Sequence, residues 1–276
     1  IKKKDLIPNV RKKVIELSER LNLEFKKPVA ELFDQTLSDP TKHSFYAIGR
    51  DQKNNEILFK VRIRKIIKEK RSFRREIWVA KLMKRGRHKA LQAITNEYLM
   101  TGIGDLDWLV KKFEPGIFLG SREELDKTIL KKGDISEVLG IIKTIQDITF
   151  FKTPKNIPPL EKFNFKYYHN YLKNKLLPDR NLITSFLSNS DLEKFITLLK
   201  EEKNLLDKYC RYLSHGDFQS SNLIRVKGKI KIIDWDAVHL SNPLFDPTFL
   251  WVHMWRKEKW RDELMKKFLR KLKRQY

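Results

Sequence analysis

The stretch 213–236, LSHGDFQSSNLIRVKGKIKIIDWD, constrains this chain more than any other. Two short runs rich in β-branched residues, Leu223–Val226 and 229–233, flank the dipeptide Lys227-Gly228, the pattern of a tight hairpin. Such a hairpin carries Asp234 back beside Asn222. With Asp217, two carboxylates and an amide then converge across one turn. A plain core segment has no use for that convergence.

Phosphoryl transfer does. It asks a protein for positioning and cancelled charge rather than covalent chemistry: a carboxylate toward the hydroxyl proton, oxygen ligands for Mg²⁺, and a cation on the phosphates. In HGDFQSSN, Asp217 precedes Asn222 by the Asp-to-Asn spacing of a kinase catalytic loop. Taken singly, Asp217 reads as a turn cap and Asn222 as a loop tie. Taken together, with Asp234 delivered by the hairpin, they read as a site. His215 beside Asp217 is read as an organiser of the loop rather than a base.

Composition bounds the alternatives. The chain has 276 residues, 41% hydrophobic and 11% aromatic, which is enough for a large core in one domain or two lobes. A lone cysteine, Cys210, permits no internal disulfide, and no CxxC or HExxH spacing points to zinc. There is no apolar run of membrane-spanning length and no signal-peptide core near the start, so a cytoplasmic location is expected. The net charge of +24 favours polyanionic or phosphorylated partners. Residues 1–112 carry 28 Lys and Arg against 14 Asp and Glu, and the remainder 31 against 21, so the excess belongs to no single tail.

Along the chain, Val10, Val14, Ile15, Leu17 and Leu21 keep a helical period. Short strand-like runs follow at 29–37, 44–49 and Glu56–Ile63, the last two joined by the turn cluster DQKNN. A helical pattern returns at 72–83, then strands at 96–100 and 107–113. This predicts an antiparallel sheet with one inserted helix. After Pro115-Gly116 the pattern is helical, with the hairpin at 223–233 as the only strand signal. The pairs Ser121/Glu124 and Ser190/Glu193 have capping-box spacing, the second opening one long helix toward Tyr212. Trp260, Leu264, Phe268 and Leu272 recur every fourth residue on a basic terminal helix. The bland reading of that helix docks its apolar stripe on the fold. The sharper one gives it an anionic membrane surface or lipid-linked acceptors.

With HGDFQSSN, IIDWD and the following NPLFDPTFLW on view, the chain resembles the aminoglycoside phosphotransferase and choline kinase-like family of small-molecule kinases. The resemblance implies an α+β, bilobal protein-kinase-like fold: a small antiparallel sheet lobe with one inserted helix, here 1–112, binding nucleotide, and a larger, mainly helical lobe, 113–276, for catalysis and acceptor. It also implies ATP and Mg²⁺ as cofactors, Asp217 as catalytic base, and Asn222 and Asp234 as metal ligands. Asp236 and Asp246 fall outside the catalytic set as structural residues. Upstream, Lys60 in EILFKVRI is the candidate phosphate lysine and Glu76 in SFRREIWVAKLM its partner. Backbone groups from Val110 through Lys112 to Phe113 are the candidate adenine contacts. One departure stands out: the loop SDPTKHS at 38–44 has no glycine, although glycine eases close approach of backbone amides to phosphates.

The expected function is transfer of the ATP γ-phosphate to a hydroxyl of a small molecule or saccharide. The positive field favours a neutral or anionic acceptor over a polycation. The alternative is a catalytically weak kinase-like protein that binds an anionic membrane or nucleic acid through its basic surface, with nucleic acid ranked last. The presence of Lys60, Asp217, Asn222 and Asp234 together favours the enzyme.

Overall fold

A computed structural model describes residues 3–25, 44–63, 70–84, 89–104, 106–121, 127–148, 160–179 and 188–273. The run at 29–37, most of the glycine-free loop 38–44 and Glu124 of the first capping pair lie outside them. In chain order, α1 (Lys3–Leu21) is followed by β1 (Ser44–Arg50) and β2 (Glu56–Ile63), then α2 (Lys70–Lys84) and the short α3 (Lys89–Ala93), then β3 (Tyr98–Gly102) and β4 (Leu106–Lys112). The four strands form one antiparallel sheet in the order β1-β2-β4-β3. The predicted strands are present within two residues at each end, and the inserted helix is joined by a second, short one.

Alternation along β2 decides what each side chain meets. Ile57, Phe59 and Val61 point to one face, where they bury with Ala47, Val110 and the α1 residues Val10, Val14 and Leu17. Lys60 takes the opposite face, toward α2. There Phe73, Ile77 and Ala80 of α2 continue without a break into the core of the helical part. Each fully buried aliphatic side chain of this kind contributes roughly 1.5–3 kcal/mol.

The second part begins with β5 (Ile117–Phe118) and α4 (Ile135–Gln146), whose buried Ile135, Val138, Leu139, Ile141, Ile142 and Ile145 form its spine. Then come α5 (Phe165–Tyr171), α6 (Asn189–Glu201), α7 (Lys203–Tyr209), β6 (Tyr212–Ser214), β7 (Leu223–Val226), β8 (Lys229–Ile232), β9 (His239–Ser241), α8 (Phe245–His253) and α9 (Glu258–Lys273). The hairpin β7-β8 turns on Lys227 and Gly228, both with positive φ (48° and 80°), the geometry that matches strand twist in a two-residue turn.

Two expectations are corrected here. The helix predicted from Ser190 starts two residues earlier, where the Ser188 hydroxyl accepts from the amide of Asp191 at 3.1 Å. It also breaks at Glu202 into α6 and α7. Further, β5, β6 and β9 add strands that no local pattern announces; β6 pairs antiparallel with β9 across more than twenty intervening residues. On the terminal helix α9 the bland reading matches the packing: Trp260, Leu264 and Phe268 are buried, while Lys259, Lys266, Arg270 and Lys271 are exposed. No helix among the described residues is long and apolar enough to cross a membrane.

Candidate active site

The loop that leaves β6 is held from behind. Its first two amides, His215 N–H and Gly216 N–H, donate to the two carboxylate oxygens of Asp246 at 2.8 and 3.1 Å. Burial pushes the Asp246 carboxyl up to about 6, and these two N–H donors together with Ser214 restrain the rise. Gly216 has φ +84°, and a Cβ there would sit 2.1 Å from the Ala237 carbonyl, so only glycine fits. The His215 ring donates through Nε2 to the Ile233 carbonyl at 3.0 Å and accepts the Asp217 amide at Nδ1 at 3.4 Å. Burial holds its pKa below the usual histidine value. It is a neutral brace, tying the loop to the strand that leads to Asp234.

That brace presents Asp217. Its carboxylate accepts from Gln219 Nε2 at 3.0 and 3.1 Å and from Asn222 Nδ2 at 2.7 Å, and the same Asn222 nitrogen donates to the Asp217 carbonyl at 2.9 Å. Spending its amide NH₂ on Asp217 leaves Oδ1 as the acceptor atom with which Asn222 would meet a metal. The Asn222 carbonyl in turn accepts the Ile233 amide at 3.0 Å, so the hairpin does bring Asp234 back beside Asn222.

On the opposite wall the Lys60 amine lies 2.6 Å from Glu76 Oε2, 3.2 Å from Asp234 Oδ1 and 3.3 Å from Asp236 Oδ1. Asp234 and Lys60 are 174 residues apart in sequence. Burial works against the charge on Lys60, but Glu76, then Asp236 and Asp234, raise its pKa well above the usual lysine value. Burial likewise pushes Glu76 up, and Lys111 followed by Lys60 outweighs it, holding the carboxyl well below its ordinary range. Carboxylate oxygens of Glu76, Asp234 and Asp236 lie within 4.8 Å of one another. Three carboxylates against two ammonium groups leave a net negative site of hard oxygens, which suits a divalent cation such as Mg²⁺.

Of the residues predicted from sequence, Lys60, Glu76 and Asp234 therefore meet in one cluster, and Asp217 and Asn222 in the next. Val110 and Lys112 do not reach the cleft. Val110 is paired within the sheet between Phe59 and Met100 and points to α1, and the Lys112 amide donates to the Glu97 carbonyl at 2.8 Å. The strand simply runs on through Lys112, so the cleft side belongs to Lys111 and the connection begins at Phe113. A slot of about 120 Å³ is lined there by Leu58, Lys111, Phe113, Glu114, Gly116, Ile224, Ile233 and Asp234 among others, with apolar walls above and below. Asp236, read from sequence as structural, contacts Lys60 directly; its spacing two residues after Asp234 was the available signal. A larger apolar pocket of about 910 Å³ lies between α7, α8 and the end of α9 and holds none of these residues.

Residues 147–275 match the sequence model of the phosphotransferase enzyme family. No curated protein matches the chain. Among solved structures it is similar to APH(2")-IIia in its GDP and kanamycin complex, at 12% identity over 87% of this chain and 82% of that one, with a TM-score of 0.53. It is also similar to macrolide 2'-phosphotransferase MphH from Brachybacterium faecium, at 10% identity over 84% and 74%, with a TM-score of 0.51. A third is amicoumacin kinase hAmiN in complex with AMP-PNP, Ca²⁺ and Ami, at 15% identity over 98% and 79%, with a TM-score of 0.50. At these identities the structural likeness speaks for the fold, and the match at 147–275 speaks for the chemistry. Residues 147–275, just under half of the chain, are thus similar to the phosphotransferase enzyme family, and the chain as a whole has a protein-kinase-like fold.

Proposed function

We propose that this protein transfers the γ-phosphate of ATP to a hydroxyl of a small molecule or saccharide, with Mg²⁺, at the junction of a nucleotide-binding part (1–112) and a catalytic, acceptor-binding part (113–276). The observation that carries the proposal is the meeting of Lys60 with Glu76, Asp234 and Asp236 beside the Asp217–Asn222 pair. Each group has one task. Lys60, oriented by Glu76, binds the phosphates. Asp217 orients the acceptor hydroxyl and takes its proton as the oxygen attacks phosphorus. Asn222 and Asp234 would hold Mg²⁺, which when bound neutralises charge on the transferred group. The slot between Leu58 and Ile224/Ile233 takes the base, with the connection Phe113–Gly116 at its edge.

A binding-only role for the basic surface has the charge of +24 in its favour, but it gives no reason for a buried lysine to face three carboxylates. The two readings separate in one experiment. Purified protein with Mg·ATP is screened for acceptor-dependent ADP release over sugars, amino alcohols, nucleosides and aminoglycosides. Turnover with at least one class is expected. Tight polyanion binding with no ADP release from any class would favour the binding-only role.

A further inference from the structure

The phosphotransfer site contains a second buried lysine that no sequence pattern singled out. Lys111 lies on the cleft side of β4, and its amine sits 3.1 Å from Glu76 Oε1. The Tyr98 hydroxyl donates to the same oxygen at 3.1 Å, and the Lys111 amine lies 5.5 Å from the centre of the Tyr98 ring. Lys60 occupies the other oxygen, Oε2. All four residues are buried, and Glu76 entirely so. A lysine in such a place costs free energy that an apolar side chain of similar volume would not. Filling the space therefore does not explain it.

Lys60 has three N–H donors, and in this structure they meet Glu76, Asp234 and Asp236. In the proposed reaction a bound nucleotide would change that arrangement. With Asp234 turned to a divalent cation, the Lys60 protons now directed at Asp234 and Asp236 would turn to phosphate oxygens. The bond to Glu76 is the one that persists. We propose that Lys111 is a positioning residue for phosphoryl transfer: with Tyr98 it anchors Glu76 through Oε1, so that Lys60 keeps its orientation while its other donors exchange carboxylates for phosphates. Glu76 is thereby fixed independently of the lysine it orients. This rests on the assignment of Lys60 to the phosphates.

The test is a double-mutant cycle read in Mg·ATP kinetics and binding, using wild type, Lys111→Met, Lys60→Met and the double variant, with Lys111→Arg as rescue. If Lys111 acts through Glu76 and Lys60, Lys111→Met raises the KM for ATP roughly 10-fold, about the worth of one charge-assisted hydrogen bond. The same change made in Lys60→Met has less than about a twofold further effect, and Lys111→Arg restores most of the loss. Tyr98→Phe, which removes a single hydroxyl from the same oxygen, shifts KM in the same direction by a smaller factor and keeps the proposal testable if Lys111→Met fails to fold. Multiplicative effects of the two lysine substitutions would overturn it. So would a change in the ATP-to-GTP preference of Lys111→Met, which would assign the amine to the base. Failure of wild type to bind Mg·ATP would instead count against the phosphotransfer assignment itself.

Discussion

Asp234 adopts φ 65° and ψ 68°, a left-handed conformation that costs a non-glycine residue roughly 1–2 kcal/mol. This conformation turns its carboxylate out of the strand and onto Lys60, at 3.2 Å. In the proposed reaction Asp217 accepts the hydroxyl proton, so Asp217→Asn, which keeps the shape, should lower turnover by about 10²–10⁴ while Mg·ATP still binds. Retained turnover would move the base elsewhere. His239 supplies a prediction in pH. Its ring stacks on Phe163 at 3.6 Å and meets the Ala237 carbonyl at 2.9 Å, and burial lowers its pKa to about 4. A histidine depressed in the folded state leaves stability intact above the unfolded value near 6.5 and removes it as pH falls toward 4. Between pH 7 and pH 4, wild type should therefore lose up to about 3 kcal/mol more than His239→Phe in urea titrations. Asp246, shifted the opposite way, is common to both proteins and cancels in the difference. Parallel pH profiles would remove His239 from the account.

Among the elements, the β6 loop depends on backbone that only its own sequence permits. Gly216→Ala forces both a positive φ and a contact of 2.1 Å with the Ala237 carbonyl, so turnover should collapse with a stability loss of order 1–3 kcal/mol. Normal activity in that variant would mean the loop is not held as described. Ser188→Ala removes the cap of α6 and should cost about 1 kcal/mol in thermal unfolding without touching catalysis. What was legible in the sequence follows from the same physics. In β2, apolar residues at 57, 59 and 61 leave Lys60 on the other face by alternation alone, and the hairpin announces itself through Lys227-Gly228. In β4, Leu106, Trp108, Val110 and Lys112 share one face and Asp107, Leu109 and Lys111 the other; with a lysine on each face, period two alone does not say which one enters the cleft. Strands β6 and β9 have three residues each and exist through pairing with one another, a long-range fact that no local window contains. Asp236 reads as structural by the family resemblance, and its contact with Lys60, 176 residues away, is a long-range fact of the same kind.

At the scale of the whole molecule, the charge of +24 surrounds an active site that is itself net negative. The wider field steers acceptors before the site selects them. Neutral or anionic hydroxyl compounds should be phosphorylated more efficiently than kanamycin-like polycations, and KM for an anionic acceptor should rise with added salt as the field is screened. Efficient, salt-insensitive turnover of the polycations would contradict this. The central claim is that segments far apart in sequence assemble one site for a metal-bound nucleotide. Calorimetric titration of ATP, with and without Mg²⁺, into wild type and Asp234→Ala tests it most directly. Wild type should show saturable binding strengthened by Mg²⁺, and Asp234→Ala should lose the Mg²⁺-dependent part. Absence of binding to wild type at millimolar ATP, or an undiminished Mg²⁺ effect in Asp234→Ala, would contradict the account.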